Sequence, residues 1–270
     1  MPLKSYRYPS ETWILLLTIV VISFVFLVTA GFTLCLAPIL LLVILVMSYL
    51  ANKTHHRSLM TKAFRVTEEN APRLAEIAQK SRIRLGAGEV DIFVVPQNAR
   101  NAYSFGMKAP QGVVLYSTLF DIMDEDELAF IVGHELGHIT LGHTLITSIL
   151  GGMAGMPPSL GAAAVFLLAF RWWNRICEFS SDRAGLLACG RLDKAISALV
   201  QLEAGDIDTP EELKQALQIL DKQDDILSNQ LLESLSTHPM IIRRIEKLQE
   251  YALSAEYHRL KGLINKSKRH

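Results

Sequence analysis

The chain has 270 residues, equal numbers of acidic and basic side chains, and a hydrophobic share of 50%. Zero net charge, with no basic stretch interleaved with aromatics, excludes a nucleic-acid-binding role; the apolar share exceeds that of ordinary soluble proteins, so contact with a lipid bilayer is expected. The three cysteines, Cys35, Cys177 and Cys189, lack CxxC spacing and form neither a disulfide framework nor a thiolate metal cage.

From Thr12 to Asn52 there is no charged residue. As one helix the apolar run Trp13 to Leu50 would be roughly 57 Å long, nearly twice a hydrocarbon core of about 30 Å. Two transmembrane spans fit better, with the turn at Thr29-Ala30-Gly31. A cleavable signal peptide competes, but the run is too long and has no polar cleavage region. Lys4 and Arg7 precede the first span, and Lys53, Arg57, Lys62 and Arg65 follow the second. The positive-inside rule then puts both ends, and the body of the protein, in the cytoplasm. His55-His56 reads as a juxtamembrane polar pair. The expected organisation is a membrane anchor over 1–52, a catalytic domain over 53–260 and a basic tail over 261–270.

Asp91 to Val95 and Gly112 to Thr118 read as strands. The second, through Val113, Val114, Leu115 and Tyr116, is either an edge to which a peptide substrate adds as an extra strand or a core strand paired on both sides. Asp124 with Glu127 three residues on forms a capping box for a helix over Glu125 to Leu141. Within it His134-Glu-Leu-Gly-His138 sets two histidines four apart, one above the other on one helical face, where both imidazoles reach a single metal ion with Glu135 beside it. Thr144 and Leu141 stand where a metzincin would have its third histidine and its glycine. His143, by continued helical geometry, faces away from His134 and His138 and reads as structural or solvent-facing.

A second uncharged stretch, within 144–173, is broken by Gly151-Gly152, Gly155 and Pro157-Pro158. Its two limbs of about 13 residues, each roughly 20 Å long, are too short to cross separately. The expectation is a re-entrant or surface-lying hairpin, with Arg171, Trp172, Trp173 and Arg175 at headgroup level; a buried helical hairpin is the alternative. Returning from it, Glu178-Phe-Ser-Ser-Asp182 supplies a third metal ligand in Glu178 and, one turn later, an acceptor in Asp182 that can fix a ligand imidazole's tautomer. Leu192 to Tyr251 reads as a helical region covering the cleft, with a capping box at Thr209-Pro-Glu-Glu212.

Four local matches carry a family resemblance: Asn101-Ala-Tyr-Ser-Phe-Gly106; Asp126-Glu-Leu-Ala129 leading into His134-Glu-Leu-Gly-His138; Glu178-Phe-Ser-Ser-Asp182; and Ser236-Thr-His-Pro239 before Arg243-Arg244-Ile245. In this order the chain resembles the HtpX-like and CAAX-prenyl-protease-like membrane metallopeptidases, a gluzincin family. The resemblance implies one zinc ion per chain held by His134, His138 and Glu178, with Glu135 as the catalytic carboxylate and Asn101 and His238 near the metal cleft. In that family the segment before the third ligand is usually a longer pair of transmembrane helices.

The fold expected is mainly α with a small β-sheet, a zincin-like catalytic domain behind an N-terminal transmembrane hairpin. The activity expected is zinc-dependent hydrolysis of peptide bonds in unfolded or membrane-proximal protein segments. Zinc lowers the pKa of a bound water to about 7, Glu135 takes the proton, and His238 is the candidate donor to the oxyanion. His238 before Pro239 also fits a simple helix entry. The expected setting is the bacterial inner membrane, with the lipid bilayer and peptide or protein substrates as partners. A metal-stabilised adaptor that binds membrane proteins without cleaving them is the rival.

Overall fold

The computed structural model describes residues 6–32, 36–106, 111–150, 162–203 and 239–267. The break at Gly151 to Pro158, the capping box at Thr209 to Glu212 and His238 lie outside the described residues. The chain is mainly helical with a small mixed sheet.

Two apolar helices come first, α1 (Glu11–Phe32) and α2 (Leu36–Met60). Thr29-Ala30-Gly31, where the sequence placed a turn, is helical instead. Gly31 stands next to the last residue of α1, so the helix runs only slightly beyond the expected turn. Among the described residues no helix is long and apolar enough to cross a membrane. Both helices nonetheless leave large apolar side chains uncovered, among them Trp13 at 74%, Phe24 at 66% and Leu27 at 70% exposure, and Leu42 and Met47 beyond 60%.

The sheet contains β1 (Phe64–Arg65), β2 (Val90–Val95), β3 (Ala102–Phe105) and β4 (Gln111–Tyr116) in the order β1-β2-β4-β3. β4 runs parallel to β2 and antiparallel to β3, so both its edges are paired. This corrects the reading of Val113, Val114, Leu115 and Tyr116 as a substrate-binding edge. The segment has no polar alternation and is buried from Gly112 to Tyr116, which suits an interior strand. Among the described residues the outer strands are β1 and β3.

Helix α3 (Pro72–Leu85) starts with proline in its first turn and ends at Gly86 in the left-handed conformation. A short α4 (Leu119–Ile122) leads to α5 (Glu125–Leu141), whose Asp124–Glu127 capping box is fully formed. Then follow α6 (His143–Leu150), α7 (Ala162–Cys189), α8 (Leu192–Glu203), α9 (Pro239–Ala252) and α10 (Ala255–Ser267). α7 is one 28-residue helix that carries the second half of the apolar stretch straight into Glu178 and Asp182. On it Trp172 is 46% exposed, whereas Trp173 is buried against Phe170, Cys177, Ile14 and Leu15. Trp173 therefore packs inside the protein instead of sharing an exposed surface with Trp172, since consecutive residues point about 100° apart on a helix.

The core is organised around α5 and α7. A Cβ on Gly133 would stand 2.3 Å from the Ala188 methyl, one on Gly137 2.7 Å from that of Ala184, and one on Gly185 2.8 Å from the Phe130 carbonyl. Small residues on both surfaces let the two backbones approach, which brings side chains one turn further along within reach of each other. Gly133→Ala or Gly185→Ala is expected to destabilise the protein by about 1–3 kcal/mol through overpacking. Gly262→Ala, with open space around it, is expected to be neutral or slightly stabilising. Melting temperatures of the purified variants check both.

Candidate active site

Glycines at 133 and 137 put one face of α5 against α7, and the adjoining face carries His134 and His138. Their Nε2 atoms lie 3.1 Å apart. From α7 the Glu178 carboxylate reaches in, Oε2 at 3.4 Å from His134 Nε2 and Oε1 at 3.5 Å from His138 Nε2. Ligand atoms about 2.0–2.1 Å from a tetrahedral zinc lie roughly 3.3 Å from one another, so these three donors fit one such ion. Two imidazoles and a carboxylate also suit zinc chemically.

The far sides of these groups are fixed by a buried ion pair. Asp182, one turn beyond Glu178, accepts from His134 Nδ1 at 3.0 Å. Arg244 on α9 donates Nε and Nη2 to the two Asp182 oxygens at 2.9 and 2.6 Å, and its Nη1 lies 3.4 Å from Glu178. Both Asp182 and Arg244 are buried. Burial disfavours charge on every group here, and the outcomes differ with the neighbours. At His138 burial prevails and the pKa falls well below the usual imidazole value, leaving a neutral ring with a free lone pair. At His134 the Asp182 and Glu178 carboxylates outweigh burial, and the pKa is pushed up to about 10. Glu178 is held far below the usual carboxylate range, because Arg244 and the two imidazoles overcome its burial.

Glu135 lies beside this cluster in a cavity of about 370 Å³. Burial raises its pKa, opposed by the charge of His134 and a hydrogen bond from Ser104. Arg100, Asn101, Ala102, Tyr103 and Ser104 line the opposite wall, so β3 runs along the cavity. Tyr116 N–H donates to the Asn101 carbonyl across the β3–β4 ladder at 3.1 Å. Alternation along an antiparallel pair then turns the main-chain N–H and C=O of Ala102 and Ser104 outward, away from β4.

A model of peptidase family M48 matches residues 68–252 of the chain. The chain belongs to that family. It is similar to a protein named Protease HtpX homolog from Gemmatimonas aurantiaca, 26% identical over 69% of this chain and 78% of the relative. It is likewise similar to Protease HtpX of Acinetobacter baylyi, 26% identical over 70% and 77% of the two chains. A CAAX prenyl protease 1 homolog from Dictyostelium discoideum is 34% identical over 42% of this chain and 27% of its own length.

The M48 segment holds His134, Glu135, His138, Glu178 and Asp182 in one cluster, with Asn101 on the cavity wall. Two features of the cluster differ from the sequence reading. His143 does not face away from the histidine pair. α5 ends at Gly142, left-handed at φ 82°, and the reversal folds His143 back until its Nδ1 lies 3.1 Å from His138 Nδ1. Arg244 stands in the sequence only within the Arg243-Arg244-Ile245 motif, with no role of its own. Its signal was present in α9: Ile241, Arg244, Ile245 and Leu248 follow the i, i+3, i+4, i+7 spacing of one buried face, and an arginine in such a stripe needs a buried anion. Arg244→Ala leaves the Asp182 charge buried without its partner and is expected to cost roughly 3–5 kcal/mol of stability. Arg244→Lys, lacking the planar fork, is expected to recover only part of this. Denaturation midpoints of the two variants check the order.

Proposed function

We propose that this M48 protein is a membrane-anchored zinc endopeptidase that hydrolyses peptide bonds in unfolded or membrane-proximal protein segments. The observation that carries the reading is the convergence of His134, His138 and Glu178 on one point, with Glu135 beside it in a cavity walled by the open edge of β3. His134, His138 and Glu178 would hold the ion through Nε2, Nε2 and the carboxylate. A zinc ion held there supplies a water nucleophile at neutral pH and polarises the scissile carbonyl.

The chain's own groups account for the remaining chemistry. Glu135 is not one of the three converging donors, so its carboxylate is free to accept the proton of the attacking water and return it to the leaving amine. Its raised pKa makes it a better proton acceptor than an exposed glutamate. Outward main-chain groups of Ala102 and Ser104 can pair with an extended peptide, an interaction that depends on backbone and tolerates many side chains. Such binding suits unfolded segments of varied sequence. Asn101 at the same wall offers an amide to the bound chain.

Membrane anchoring is supported by the uncharged run Thr12 to Asn52 and by the uncovered apolar faces of α1 and α2. Basic residues flank the run on both sides, which favours a cytoplasmic catalytic face. The relatives named as proteases add the same activity class.

Detergent-purified wild type and Glu135→Gln are the direct comparison. Both are expected to bind about one zinc per chain, and only wild type is expected to cleave denatured casein. Loss of a positioned acid–base group lowers turnover by about 10²–10⁴-fold. Casein cleavage that survives Glu135→Gln would overturn the assignment.

A further inference from the structure

A carboxylate at the start of α1 reaches the candidate metal site from the far side. Glu11 lies 132 residues from His143 in sequence, yet its Oε1 is 3.0 Å from His143 Nε2. Its side chain is fully buried at a helix start, where a glutamate is ordinarily solvated. Arg7 pairs with the same carboxylate, and the Ser180 hydroxyl donates to its other oxygen. Arg7 also donates to the Leu141 carbonyl in the last turn of α5 at 2.7 Å, and Tyr8 N–H donates to Ser180 Oγ at 2.9 Å. The segment ahead of α1 is therefore tied to both helices that supply the converging donors.

The hydrogen-bond directions along this path have one consistent solution when both rings are neutral. His138 turns Nε2 toward His134 and Glu178, and a lone pair there requires the proton on Nδ1. Among the described residues His138 Nδ1–H then donates to His143 Nδ1, which leaves the His143 proton on Nε2, pointing at Glu11. His134 reaches Asp182 directly, whereas His138 reaches Glu11 through an intervening imidazole. Each carboxylate is in turn held by a guanidinium, Arg244 on Asp182 and Arg7 on Glu11. Glu11, His143 and Cys177 could themselves be taken for three metal donors. The Arg7 cation on the Glu11 carboxylate disfavours an ion there.

We propose that Glu11 is a positioning residue for the metal site, acting through His143 to fix the tautomer and ring orientation of His138. The N-terminal segment is then part of the active site as well as of the anchor. The inference rests on His138 being a metal ligand, as read above.

Zinc affinity measured by chelator competition on the full-length, detergent-purified protein tests it. Groups that orient a ligand from outside the coordination sphere typically contribute 10–100-fold to metal affinity. Glu11→Ala and His143→Phe are each expected to weaken zinc binding by at least about tenfold. Glu11→Gln still accepts from His143 and is expected to fall between wild type and Glu11→Ala. The double variant Glu11→Ala/His143→Phe is expected to bind zinc no more weakly than His143→Phe alone, because both changes break one path. Glu11→Ala combined with Asp182→Asn is expected to be additive, since the two act on different imidazoles. The d–d spectrum of the cobalt-substituted protein is expected to shift in Glu11→Ala, a change that a residue serving only to hold α1 in place would not produce. Zinc affinity within twofold of wild type in both Glu11→Ala and Glu11→Gln overturns the proposal, as does simple additivity of Glu11→Ala with His143→Phe. His138→Ala that binds zinc as tightly as wild type overturns the ligand reading itself, and the two failures are distinguishable.

Discussion

The close approach of α5 and α7 is the constraint on which the rest of the structure depends. His134 and His138 can share an ion with Glu178 only if two separate helices come close enough for side chains of ordinary length to meet. Gly133 and Gly137 on one surface and Ala184, Gly185 and Ala188 on the other remove the atoms that would keep them apart. The contact has little shape of its own, because small residues offer little area to bury. It is held from outside: α3 and α8 pack on α5, and α1 and α9 pack on α7. Ser197 and Lys194 on α8 bond to the Glu127 side chain in the first turn of α5, which secures the end of that helix remote from the histidines.

Two ion pairs flank this contact, Arg244–Asp182 buried on both sides and Arg7–Glu11 buried at its carboxylate, and they differ in what they control. Arg244–Asp182 brings α9 onto α7 and orients His134. Arg7–Glu11 brings the segment ahead of α1 onto the C-terminal end of α5. Buried pairs of this kind are poor sources of net stability, since desolvation consumes most of the attraction. Their value here is geometric: each fixes the direction of a charge or hydrogen bond beside a candidate ligand. The apolar face of α1 meets Phe170 and Trp173 of α7 on one side and leaves Trp13 and Phe24 uncovered on the other. A helix placed this way connects the surroundings of the uncovered side chains to the candidate metal site in a single span of packing.

Features written in local spacing were legible in the sequence. The i, i+4 histidines, the i, i+4 acidic pair at Glu178 and Asp182, and the Asp124–Glu127 capping box each need only one helix, and the structure shows each helix. Features that depend on where a helix stops or what a strand meets were harder to read. Continuing α5 past Leu141 puts His143 on the wrong side; one left-handed residue at Gly142 reverses that. The run Gly112 to Tyr116 could have lain at an edge or inside, and pairing with β2 and β3 put it inside. Glu11 offers only a local i, i+4 pairing with Arg7; its other partners, His143 and Ser180, are more than a hundred residues away and have no signature in local spacing.

The central claim is that the α5–α7 contact builds a metal site of two imidazoles and one carboxylate. X-ray absorption at the zinc edge on the detergent-purified protein tests this most directly, because it reads the donor set without requiring a substrate. The account predicts about one zinc per chain, with two nitrogen donors near 2.0–2.1 Å and oxygen donors completing a four-coordinate sphere. Absence of stoichiometric metal, or a sphere containing sulfur from Cys177 or lacking imidazole, would contradict it.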